Sequence, residues 1–112
     1  MSMWRSEASR LLPELQSTIA SREVNSPAEL WIKLHFEFDK LCRQTPAPTE
    51  LLSRIWKYAK WSGEQSDDVI STAVVSFFFE QLKDTRAYRR VLPTFMSSSE
   101  HAQYTGSEKE RP

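Results

Sequence analysis

His35 and Asp39 are the two residues of this 112-residue sequence whose types and spacing best suit acid–base chemistry. They are four positions apart, so on a helix they share one edge, where a carboxylate can orient an imidazole. Such a base needs a nucleophile beside it. Cys42 lies one turn beyond Asp39, but its neighbours Phe38 and Leu41 predict a buried, unreactive thiol. A hydrogen-bonded pair on a helix surface is the simpler interpretation, so the sequence leans away from an enzyme.

Trp61 is a candidate partner-binding residue because it falls away from the apolar face of its helix, alongside Arg54. Two interpretations are open. Either the turn at Gly63 folds the chain over the indole, or Trp61 is an exposed aromatic anchor of the kind enriched at interfaces. In both cases Arg54, seven residues earlier, could stack on the ring.

Glu80 is a candidate because it follows three phenylalanines at the rim of an apolar arc. A carboxylate there is partly desolvated, which predicts either a raised pKa or a cationic partner. We expect a structural ion pair, with a ligand-gripping carboxylate as the alternative. The candidate cations are Arg54, Lys57, Arg89 and Arg90.

Arg86, Arg89 and Arg90 share one face of a short predicted helix. Arginines near aromatic residues are typical of single-stranded nucleic-acid binding. However, 15 Lys and Arg balance 15 Asp and Glu, so the overall positive charge of such proteins is missing. A solvated face is the simplest interpretation, followed by contact with an acidic protein or a phosphorylated ligand. We expect no nucleic-acid partner.

Composition excludes several classes of site. With only two glycines there is no phosphate-binding loop, and a β-sandwich or barrel is disfavoured. A single cysteine rules out an internal disulfide and a cysteine-based zinc site, which favours a reducing cytoplasm. No set of metal ligands or cofactor motif is visible, and neither a signal peptide nor a membrane span is expected.

Hydrophobic residues recur with the period of an α-helix in four segments, and a shorter fifth segment follows. The fold class predicted is therefore all-α: a compact bundle of four main helices plus a short C-terminal helix. Residues 1–96 form the domain, and residues 97–112, rich in Ser, Glu and Lys, are expected to be a flexible tail. The predicted helices are 4–19, 27–43, 48–62, 67–84 and 86–92.

Local signals refine these helices. Pro13 predicts a kink within one continuous first helix. Ser26, Pro27 and Glu29 have the spacing of a capped helix start. Gly63 is expected to be a left-handed C-cap, and Thr85 is expected to cap the last helix.

Two helices have unusually wide apolar surfaces. In 27–43, Ile32 and Phe36 form a second strip apart from the main face, which predicts neighbours on two sides. The helix at 67–84 has the broadest apolar arc, so we expect it to be the central one.

Residues 51–61 (LLSRIWKYAKW) and 74–82 (VVSFFFEQL) resemble a family of small bacterial helical domains of unknown function. Its signature is an Ile-aromatic-x-Tyr/Phe-Ala-x-Trp helix followed by a Val-x-Phe-x-x-Glu-x-Leu helix, and the resemblance covers about half of the chain. It implies a stand-alone cytoplasmic all-α domain in which Trp61 and Glu80 matter. It implies no mechanism. Some small bacterial helical proteins act as adaptors or neutralise toxins, an analogy of class alone.

The function predicted from the sequence is protein–protein interaction, as an adaptor or toxin-neutralising partner, through Trp61, Arg54 and Glu80. The alternative is a small-molecule or phosphoryl-ligand binding protein, or an enzyme, with a pocket between the central helices. The sequence leaves the oligomeric state open.

Overall fold

The computed structural model describes residues 2–83 and 86–105, and every regular element in these ranges is helical, which confirms the all-α class. The described chain has seven α-helices and three short 3₁₀ helices. The α-helices are α1 Met3–Leu11, α2 Gln16–Ile19, α3 Pro27–Cys42, α4 Thr49–Gly63, α5 Asp68–Phe77, α6 Arg86–Val91 and α7 Ser98–Thr105. The 3₁₀ helices are Pro13–Leu15, Phe79–Lys83 and Leu92–Thr94. Thr85, the expected cap of α6, lies outside the described residues.

Helix α3 starts where the sequence predicts and occupies the centre of the fold. The Ser26 hydroxyl accepts the backbone N–H of Glu29 at 3.2 Å, and Pro27 is the first helical residue. The Glu29 carboxylate accepts the N–H of Asn25 at 2.7 Å, one residue earlier than in the usual capping box. Four helices, α2, α4, α5 and α6, pack on α3. The segment 67–84, predicted to be the central helix, shares this position, because it packs on α3, α4 and α7.

Two predicted helices are broken. The first one ends at Leu11, because Leu12 precedes proline and is forced out of helical geometry, with φ −129° and ψ 58°. The predicted helix at 67–84 ends at Phe77. Phe78 leaves helical geometry and turns into the core, where its ring centroid lies 4.9 Å from that of Trp31. Leu12 and Phe78 are both wholly buried. At Phe78, which no proline follows, core packing overrides helical continuity.

Gly63 is not the left-handed cap that the sequence predicted. Helix α4 includes Gly63 as its last residue, and the C-cap is Glu64, whose φ of −89° is right-handed. A Cβ atom on Gly63 would lie 3.2 Å from the ring of Phe79. The close approach of that ring, and not a turn, explains the glycine.

The tail predicted to be flexible from Ser97 onward instead begins with helix α7. Ser97 and Glu100 form a capping box: the Ser97 hydroxyl accepts the Glu100 N–H at 3.1 Å, and the Glu100 carboxylate accepts the Ser97 N–H at 3.0 Å. Glu100 also accepts a hydrogen bond from Lys60 Nζ at 2.7 Å. Tyr104 packs edge-on against Trp56, with 4.9 Å between ring centroids. The rest of the predicted tail, 106–112, lies outside the described residues.

Candidate functional site

Tyr88 of α6 reaches the edge of α3 that carries His35 and Asp39. Its hydroxyl oxygen lies 2.9 Å from His35 Nε2 and 2.9 Å from Asp39 Oδ1. Arg43, one turn further along α3, donates from Nε to Asp39 Oδ2 at 2.9 Å. The predicted pair is thus joined by a buried tyrosine into a larger network.

The charge states of the side chains in this network determine which atoms carry the protons. The hydrogen bond from Arg43, and then that from Tyr88, lower the pKa of Asp39. An ionised carboxylate can only accept, so Tyr88 donates its single proton to Asp39 and His35 Nε2 donates to Tyr88. Burial lowers the pKa of His35, although the nearby Asp39 opposes this. At neutral pH His35 is therefore uncharged and carries its proton on Nε2.

The network stabilises packing and offers no nucleophile. The side chain of Tyr88 has no exposed surface, so its hydroxyl cannot meet a substrate. Cys42 is also wholly buried, and burial raises the pKa of its thiol to about 12. What the network does is attach α6 to α3. Sequence reasoning missed Tyr88; the available signal was a tyrosine on the apolar face of a helix, whose hydroxyl needs a partner once buried.

Arg54 connects α4 to the end of α1 and does not stack on Trp61. Its guanidinium donates to Glu14 Oε1 at 2.7 Å, to Glu50 Oε1 at 2.7 Å and to the Leu11 carbonyl at 3.1 Å. The hydrogen bond that Arg54 donates to Glu14, followed by a backbone hydrogen bond, lowers the pKa of Glu14 to about 2. Arg54 thus satisfies the carbonyl left free where α1 ends.

Trp61 is half-buried against its own helix. Its ring stacks on Tyr58, with 5.7 Å between centroids and an interplanar angle of 14°. Tyr58 in turn donates its hydroxyl proton to the Trp4 carbonyl at 2.8 Å. The indole is therefore only partly available to a partner, and no hydrogen bond, ion pair or ring contact joins Trp61 to Arg54 or Glu80 in the described part of the chain.

Glu80 lies on the 3₁₀ helix after the break at Phe78, where it is exposed. The expected desolvation is absent, and no described cation lies within ion-pair distance of its carboxylate. The break explains the difference, because Glu80 no longer continues the register of α5. It borders a shallow depression of about 200 Å³. The other residues lining that depression are Val75, Phe79, Gln103 and Tyr104.

The three arginines of α6 are exposed, as a solvated face requires. No described acidic side chain pairs with Arg86, Arg89 or Arg90. The opposite side of α6 is buried through Tyr88 and Val91. The arginines therefore stay a candidate contact for an acidic partner.

The second apolar strip of α3 is open to solvent. Ile32 is 51% exposed and Phe36 is 62% exposed. The ammonium group of Lys40 lies 5.1 Å from the Phe36 ring centroid. Beside the strip is a surface depression of about 470 Å³ between α2 and α3. Its lining residues are Ser17, Thr18, Ser21, Ile32, Lys33, Phe36 and Glu37. The sequence predicted a second neighbour for this strip, and no described element fills that position.

Neither metal-binding residues nor comparison with known proteins identifies the site further. Within 2–83 and 86–105, no group of three or more His, Cys, Asp and Glu side chains could hold a metal ion. None of the helices in these ranges combines the length and the hydrophobicity that crossing a bilayer requires. No family model, curated protein or solved structure matches the chain. The resemblance noted in 51–61 and 74–82 thus stays a prediction.

Proposed function

We propose that this protein is a small cytoplasmic protein–protein interaction module, in the class of adaptors and toxin-neutralising partners. Its contact surface is the outer α3 strip, defined as Ile32 and Phe36 with the flanking Lys33, Glu37 and Lys40. The observation that carries the proposal is the exposure of two large apolar side chains one helical turn apart. Full burial of one such side chain contributes about 1.5–3 kcal/mol of favourable free energy. In the isolated chain, half or more of each of these two side chains is still exposed.

This surface replaces the predicted one around Trp61, Arg54 and Glu80. Arg54 is engaged by Glu14, Glu50 and a backbone carbonyl, and Trp61 is partly covered. An interface hot spot needs an apolar anchor that a partner can bury, surrounded by polar residues that exclude water. Ile32 and Phe36 within a rim of lysine and glutamate meet that description better.

The alternative, a small-molecule or phosphoryl-ligand binding protein or enzyme, has less support. It requires a pocket between the central helices, whereas aromatic rings occupy the described part of that space. Phe78 lies 4.9 Å from Trp31 and 4.9 Å from Phe38, measured between ring centroids. The α6 arginines are the feature that such a ligand would use.

The test is a comparison of Phe36→Glu with Val69→Glu. Both side chains are 62% exposed, but Val69 is on α5, outside the strip, so it is a matched control. Tagged wild type and both variants are expressed in the source cells and cross-linked, and the bound proteins are quantified, including an untagged copy of the chain. We expect Phe36→Glu to lose binding and Val69→Glu to keep it. Equal binding by all three forms, or no bound protein, would contradict the proposal.

A further inference from the structure

We infer that the occupant of the outer α3 strip is a second copy of this chain, with the two α3 helices antiparallel. The inference rests on the proposed function of that strip and names its partner. Its basis is the order of charged and apolar side chains along the exposed face of α3.

Four side chains follow one line on that face. At 100° per residue, Glu29, Ile32, Phe36 and Lys40 lie within an arc of about 80°. Glu29 and Lys40 are both exposed. The face is therefore negative near the start of α3, apolar in the middle and positive near its end.

Such a face is complementary to itself when one copy is reversed. A two-fold axis midway between Ile32 and Phe36 places each Ile32 opposite Phe36 of the second copy. The same axis brings Glu29 within one residue, a rise of about 1.5 Å, of Lys40 of the second copy. The antiparallel pair therefore buries four apolar side chains between two Glu–Lys pairs, and the two helix dipoles oppose each other favourably. A parallel pair would instead set like charges side by side.

The side chains of Glu29 and Lys40 can each form a new ion pair. Glu29 uses Oε1 for the bond from Asn25, while Oε2 makes no hydrogen bond with a described residue. Lys40 has a 3.6 Å ion pair with Glu37, and its side chain is 55% exposed. An exposed pair of this kind contributes under about 1 kcal/mol, so Lys40 can exchange it for an intermolecular partner.

The contact is small, so the dimer is expected to be weak. Helix α3 has 16 residues, about 24 Å of axis, and the strip spans only its middle turns. Stable interfaces bury about 1,200–2,000 Å² in total, more than two crossed helices provide here. We expect a dissociation constant on the order of 10–100 µM.

The experiment is sedimentation equilibrium of the full chain at concentrations up to about tenfold above that constant. The variants are Glu29→Lys, Lys40→Glu and their equimolar mixture, with Lys57→Glu, at an exposed position of α4, as a charge-reversal control away from the strip. Each single variant places like charges opposite each other at both ends, so its dimer should weaken at least roughly tenfold. In the mixture, one chain is positive at both ends and the other negative, so the mixed dimer should regain wild-type affinity within about threefold. The control should match the wild type.

Because Glu29 also caps α3, circular-dichroism melts must show that each variant is folded. Phe36→Glu provides a test that does not touch the cap, and it should be monomeric throughout. A wild type that stays monomeric, a mixture that does not recover, or a dimer that survives Phe36→Glu would overturn the inference. If the wild type is monomeric but Phe36→Glu loses a different bound protein, the proposed function stands and the second-copy inference fails.

Discussion

Two phenylalanines on opposite faces of α3 differ in their exposure to solvent. Phe38 is wholly buried, with its ring centroid 4.9 Å from that of Phe78 and 5.3 Å from that of Tyr88. Phe36, two residues earlier, is 62% exposed. Helix geometry alone separates the two side chains by about 200°. The amphipathic pattern therefore predicts which side chains of a helix can be buried, while the docking of other helices decides which of them are buried.

The edge between these faces behaves differently again. His35 and Asp39 are polar, but they meet a buried hydroxyl from α6 and not water alone. The hydrogen bonds at this edge fix the position of α6 on α3. In the described part of the chain, no helix packs over the outer strip. The inner face and edge thus serve folding, and the outer strip is left for association.

The largest effect is expected from Phe38→Ala. Removing a wholly buried phenylalanine leaves a cavity among Phe78, Tyr88 and Phe95, and should lower the free energy of unfolding by about 3–5 kcal/mol. Urea denaturation followed by tryptophan fluorescence measures it. A loss under about 1 kcal/mol would mean that this face is not the packed core described here.

Next in size is Tyr88→Phe, which removes the hydroxyl shared by His35 and Asp39. His35 Nε2 would lose its bond to this hydroxyl, and Asp39 Oδ1 would keep only its bond from Arg43, so the change should cost about 1–3 kcal/mol of stability in the same denaturation experiment. Tyr104→Phe is the matched control, because the Tyr104 hydroxyl makes no hydrogen bond with a described residue. Equal losses in the two variants would show that the network contributes nothing.

The pH dependence of stability should come next. Since burial lowers the pKa of His35, the folded state binds fewer protons than the unfolded state, whose histidine titrates near 6.5. Stability should therefore fall as pH drops from about 6.5 toward the lower folded pKa. In His35→Gln this fall in stability should be absent. A second loss of stability, below about pH 4, should remain in the variant, because Asp39 and Glu100 become protonated there and their pKa values are lowered in the folded state. Identical profiles from pH 7.5 to 5 would rule out the histidine contribution.

The smallest effect is expected from Phe36→Ala at concentrations where the chain is monomeric. The side chain is exposed and its ring is approached only by the exposed Lys40 ammonium among the contacts described, so the free energy of unfolding should change by no more than about 1 kcal/mol. Differential scanning calorimetry of this variant beside Phe38→Ala measures the contrast directly. A loss approaching that of Phe38→Ala would show that the strip is covered within the chain, which would also contradict its proposed role.

Part of the candidate site could be predicted from the sequence. The His35–Asp39 pairing on one edge follows from their spacing, and the separation of Ile32 and Phe36 from the main face follows from the helical period. Tyr88 could not be assigned to the pair, because it lies 49 residues from Asp39 along the chain. Trp61, Arg54 and Glu80 were grouped by resemblance and helical register, but their contacts are with other residues.

The sequence by itself determined that the chain is helical, where α3 begins and which of its residues can face a core. These features depend on backbone geometry and on caps such as Ser26, which act over a few residues. Only the tertiary structure decided the break at Phe78, the docking of α7 and the exposure of Phe36. Each of these depends on contacts between segments far apart in the chain, where burial of apolar surface outweighs local helical preference.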